Sequence, residues 1–154
     1  MIAAVLLLLT GCVTEDTFET IADEAVEPVM AVPRETSVML PEEAAAPVLQ
    51  NDERQIYLGE NYQLILERYP SGDLGKTIRS VSGFEREALT LLKTEQDAGE
   101  RYEFVWVSAG ETGELLGRAA ILDDGHYHYC MSVLRTQETD AAVWEQVFAS
   151  FRLV

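Results

Sequence analysis

The chain has 154 residues, 27 of them acidic and 11 basic, for a formal net charge of −16. So negative a surface repels phosphate backbones and anionic lipid headgroups, which argues against nucleic acid and against simple electrostatic adsorption to a membrane. With only two cysteines, Cys12 and Cys130, there is no disulfide framework, and the fold must rest on the hydrophobic core of a single domain.

The N-terminus is a short apolar run, Ile2 to Leu9, followed by Thr10, Gly11 and Cys12. A spanning helix needs about 20 apolar residues, so a run this short ending in small residues reads as a secretion signal with a cleavage site. Leu9-Thr10-Gly11-Cys12 resembles the lipobox of bacterial lipoproteins. The resemblance implies that residues 1–11 are a signal peptide and that Cys12 receives a diacylglyceryl lipid and becomes the new N-terminus. The protein would then be extracytoplasmic, held by its acyl chains to the cell membrane, or to the outer membrane of an organism that has one.

Residues 12–50 read as the lipidated cysteine and an acidic, proline-rich, disordered tether. Pro28, Pro33, Pro41 and Pro47 fall here, and nine acidic residues face a single base, Arg34. Like charges and prolines extend a chain and deny it a core; a tether of ~40 residues has a reach of roughly 35 Å. The competing reading is a weak helix over Phe18 to Val29 lying against the domain.

The folded domain is expected over 51–154. Gln55 to Tyr57 is a short strand, and Tyr62 to Tyr69 alternates Tyr62, Leu64 and Leu66 with Gln63, Ile65 and Glu67. Asp73 is an N-cap for a helix whose Leu74, Ile78 and Val81 share one face, and Gly83 ends it. Three strands follow, Ala88 to Glu95, Arg101 to Ala109 and Leu115 to Leu122, separated by hairpin-length breaks. His126 to Leu134 is the last long strand. A closing helix from about Asp140 carries an aromatic seam of Trp144, Val147, Phe148 and Phe151. Tight turns pair strands antiparallel, and both helices need the sheet to cover their apolar faces. The fold class is therefore α+β, an antiparallel sheet of about five strands packed with two helices. The ending Trp144-x-x-x-Phe148-x-x-Phe151-x-Leu153, with the preceding hairpin, resembles small extracytoplasmic lipoprotein domains of PsbP-like fold, and implies a fold rather than a catalytic residue.

The strongest local chemistry is His126, His128 and Cys130, which strand alternation places on one face. Two imidazoles and a thiolate would hold zinc or copper. The alternative is a pair of half-solvated histidines beside a core cysteine. Ser80, Ser82, Ser108 and Ser132 lie in no Gly-x-Ser-x-Gly elbow, and the abundant acids pair into no distinctive site, so an envelope hydrolase is the weakest reading. The leading one is a non-enzymatic lipoprotein. Its domain would be a binding or complex-assembly module for an envelope protein, a glycan or a small ligand, with a metal-binding lipoprotein using His126 and His128 as the alternative.

Overall fold

The computed structural model describes residues 31–154 except Thr112, and Ala31–Val154 forms one compact unit. The lipobox, Cys12 and the tether as far as residue 30 lie outside the described residues.

In chain order the elements are β1 (Thr36–Ser37), β2 (Leu49–Gln50), β3 (Arg54–Leu58), β4 (Tyr62–Pro70), α1 (Leu74–Ser82), β5 (Leu92–Gln96), β6 (Gly99–Gly110), β7 (Gly113–Asp123), β8 (Tyr127–Arg135), α2 (Ala141–Ser150) and β9 (Arg152–Leu153). Seven strands form one antiparallel sheet in the order β2-β3-β4-β8-β7-β6-β5, and β1 pairs with β9 in a separate two-stranded ribbon. The fold is α+β with two helices, as expected, and the main sheet has two strands more than the five anticipated.

Alternation along β8 divides the core into two. Tyr129, Met131 and Val133 point to the face that α2 covers, where they meet Leu64, Ala120, Leu122, Trp144, Val147, Phe148 and Phe151. Cys130 points to the other face, where Ile78 of α1 packs with Phe104, Trp106, Ala119 and Ile121. The molecule is thus helix, sheet, helix, each helix closing one face. The aromatic ending is a packing device: Trp144, Phe148, Phe151 and Leu153 all enter the α2-side core, and Trp144 meets Tyr62 edge-on at 4.9 Å between ring centres.

Helix α1 forms where its caps dictate. The Asp73 side chain accepts from the backbone N–H groups of Gly75 and Lys76, at 2.9 and 3.4 Å. Gly83 follows the helix at φ 80°, a conformation that carries no Cβ penalty in glycine. Asp140 caps α2 in the same way through the N–H of Ala142 at 2.8 Å.

Two expectations are corrected. The strand expected over Ala88 to Glu95 starts only at Leu92, because Arg86–Ala88 forms a 3₁₀ turn and Leu89 and Leu91 pack into the α1-side core before pairing begins. The folded unit starts at Ala31, twenty residues ahead of Asn51. Residues 31–50 belong to the expected tether, yet Val38 and Leu40 pack on the α2-side core, Pro41 is buried, β1 pairs with β9, and β2 pairs with β3. Isolated apolar residues and borrowed hydrogen bonds hold this segment, not a periodic pattern. The Arg34 N–H donates to the Tyr129 hydroxyl at 2.8 Å, the Tyr127 hydroxyl to the Ala31 carbonyl at 2.9 Å, and the Met39 N–H to the Ser150 hydroxyl at 2.8 Å.

Candidate functional site

Of the three expected ligands, the structure places two on one strand face and one outside the strand. His128 and Cys130 both lie on the α1 side of β8, while His126 is exposed in the turn that precedes it. That turn reaches past His126 because the Asp124 carboxylate accepts from the N–H groups of both His126 (2.9 Å) and Tyr127 (2.8 Å). The Tyr129 hydroxyl also donates to it, at 3.0 Å. Burial works against the Asp124 charge, but these donors outweigh it and hold the carboxyl below its ordinary value. Among the described residues, no three His, Cys, Asp or Glu side chains gather as a metal would require.

His128 is only 1% exposed. Its Nδ1 shares a 2.7 Å hydrogen bond with the Thr77 hydroxyl of α1. Its Nε2 lies 3.3 Å from Asp123 Oδ2, yet the two are not aligned for a hydrogen bond, and Nε2 has no such partner among the described residues. Asp123 Oδ1 is occupied elsewhere, accepting from the N–H of Gly125 at 2.8 Å. Hydroxyl, imidazole and carboxylate follow one another here as in a nucleophile–base–acid relay. Thr77 and His128 are both sealed from solvent, so no substrate meets the hydroxyl; the contact instead braces α1 against the sheet.

Cys130 is equally deep. Burial, with the charge of Glu67 added, pushes its thiol well up, so the nucleophilic and metal-binding thiolate is strongly disfavoured. Glu67 is the register partner of Cys130 on β4 and is held by Arg54 at 2.9 Å. Cys12, the expected lipidation site, lies outside the described residues. The Glu100, Glu103 and Asp124 carboxyls are each held below their ordinary value by the donors around them.

The opposite end of the sheet holds a feature that no single residue type announces. On the α2 side, Leu92, Val105, Val107 and Leu116 line an open apolar groove of about 730 Å³. Leu92, Val105 and Val107 are 64%, 65% and 50% exposed. One wall is polar: Arg118 bonds Glu103 at 2.9 Å and Glu145 at 2.7 Å, with its guanidinium 4.2 Å from the centre of the Phe148 ring. Under the sheet, Trp106 lies flat over Gly117, where an added Cβ would come within 2.1 Å of the ring. The groove exists because α2 is too short. Its ten residues span about 15 Å, against about 40 Å for the twelve residues of β6. A signal was present in the sequence: Phe104 and Trp106 alternate with Val105 and Val107, so this strand is apolar on both faces and needs cover on both.

No protein-family model matches the sequence, and no curated protein matches it.

Proposed function

We propose that the protein is a non-enzymatic lipoprotein, anchored through Cys12 at the outer face of a bacterial membrane, whose α+β domain is a binding or complex-assembly module of the cell envelope. The observation that carries this reading is the apolar run Ile2 to Leu9 closing on Leu9-Thr10-Gly11-Cys12. Two or three acyl chains on that cysteine anchor a protein durably, at roughly 0.8 kcal/mol per buried methylene. The binding role is supported by the groove beside Val105 and Val107, since a soluble domain seldom exposes a contiguous apolar surface without a use for it. The likeness of the aromatic ending to PsbP-like domains belongs to the same proposal. It concerns fold and assigns no role in photosynthesis.

Replacing the anchor tests the reading. With Cys12→Ser the full chain moves from the membrane to the soluble fraction, and metabolic labelling with a fatty acid is lost. Firm membrane attachment of the Cys12→Ser chain refutes it.

A further inference from the structure

β5 begins only at Leu92, opposite Glu103, so the part of β6 from Phe104 to Gly110 has a neighbour on one side only. The direction of its backbone groups there follows from the hairpin. Gln96 and Gly99 close a two-residue loop, and hydrogen-bonded pairs alternate along an antiparallel ladder. Gly99, Arg101 and Glu103 therefore turn their N–H and C=O groups toward β5. Val105, Val107 and Ala109 turn theirs to the same side, beyond the start of β5. Among the described residues no backbone group bonds to those three from outside the sheet ladder. Their side chains share the α2 face, and all three are exposed.

Open edges in soluble proteins are guarded by lysine, proline, a bulge or an inward charge. Phe-Val-Trp-Val-Ser-Ala-Gly has none of these, and it is uncharged in a chain of net charge −16. We propose that this edge pairs antiparallel with the same edge of a second copy, with the two-fold axis passing at Val107. Val107 then lies opposite Val107 of the second copy, and Val105 opposite its Ala109, apolar against apolar. The three outward N–H and three outward C=O groups of each copy all find partners. The seam carries no charge, so the strongly negative surfaces are not forced into contact there.

The two-fold axis of an antiparallel pair runs perpendicular to the sheet, which leaves the α2 faces of both copies on the same side. Ala31 enters on that face, its carbonyl bonded to the Tyr127 hydroxyl. Both chains therefore enter their domains from one side, as two molecules anchored in one bilayer require. This last point rests on the lipid-anchor reading; the strand argument does not. One short strand pair buries less than the ~1,200 Å² of a standard stable interface, so the pairing is weak in dilute solution and is sustained by confinement to a surface.

The test is a cysteine scan of the full chain in native membranes, oxidised with copper phenanthroline. Residues that exchange both hydrogen bonds have Cα atoms about 5.5 Å apart, within disulfide range. Val107→Cys gives a covalent homodimer. Val105→Cys and Ala109→Cys give none alone, because like positions sit ~14 Å apart along the seam, and give a dimer when co-expressed. Absence of a dimer at Val107, equal yields at all positions including Glu145→Cys, or a cross-link from position 107 to a different protein each overturns the proposal. The same scan on the released Cys12→Ser chain at millimolar concentration examines the edge alone, while fractionation of the parent examines the anchor alone. Failure of one reading is therefore distinguishable from failure of the other.

Discussion

His128 is held on one side and left wanting on the other, and that asymmetry sets what its neighbours are worth. The Thr77 hydroxyl is the only hydrogen-bond partner of the ring among the described residues. Thr77→Val keeps the shape and removes the hydroxyl, leaving both ring nitrogens unsatisfied in a dry interior. The expected cost is about 1–3 kcal/mol, read as a lower urea midpoint at unchanged slope, with Thr77→Ser close to the parent. An equal loss in the Ser variant would show that the methyl contact matters rather than the bond. Alternation alone placed His128 and Cys130 on a common face, and that much was legible in the sequence. Their depth was not, because the cover is α1, and Thr77 lies 51 positions away from His128 in the chain. Nor was the exclusion of His126 from the strand legible, since it depends on one aspartate choosing two backbone donors in the turn.

Between elements, the joint that matters most is polar. Arg101 is 6% exposed and donates to the carbonyls of Phe148 and Phe151, at 2.8 and 2.9 Å, at the end of α2, where carbonyls outnumber the backbone donors. Its Nε binds Glu103 at 2.7 Å, and Glu103 also holds Arg118, which reaches Glu145 of α2. Burial works against the Glu103 charge, but Arg118 and Arg101 outweigh it and keep the carboxyl below its ordinary value. A carboxyl whose pKa is lower in the folded than in the unfolded state stabilises the fold fully above the unfolded value. That stability is lost as pH falls through the lowered folded value. The melting temperature should therefore drop on acidification through the carboxylate range, and Glu103→Gln should flatten that drop while lowering the neutral-pH plateau. An acid limb as steep in the variant as in the parent would assign it to other carboxylates. The sequence announces helix ends better than such joints: Asp73, Gly83 and Asp140 mark their boundaries locally, whereas Arg101 acts on residues 47 and 50 positions away. It hid the late start of β5 for a related reason. Ala88 to Glu95 has strand-like composition throughout, but Leu89 and Leu91 are drawn inward before the chain meets its neighbour.

For the molecule as a whole, the segment 31–50 decides where the domain ends. It was legible only as what it lacks, since prolines, acids and two-residue strands leave no period to read. Its contacts are nevertheless long-range: Arg34 to Tyr129, Met39 to Ser150, and β1 to β9 at the far end of the chain. It closes the α2-side core with Val38 and Leu40 and ties the C-terminal strand down, so the N-terminal strap and the aromatic ending stabilise each other. A fragment starting at residue 51 would lose both, exposing the Tyr129 side of the core and leaving β9 without a partner. Each partly buried aliphatic contributes on the order of 1 kcal/mol, and the long-range hydrogen bonds a similar amount each, against the entropy of ordering the strap. A net loss of about 2 kcal/mol would lower the Tm by roughly 10 °C in a domain of this size. Calorimetry on 31–154 and 51–154 measures the difference directly. Equal melting temperatures would mean that the strap rests on the domain without stabilising it. A large gap would place the boundary at residue 31, leaving only the eighteen residues from Val13 to Met30 between the proposed lipid and the fold. If the proposed lipid is present, so short a spacer would hold the domain near the bilayer and raise the effective concentration of edges such as that of β6.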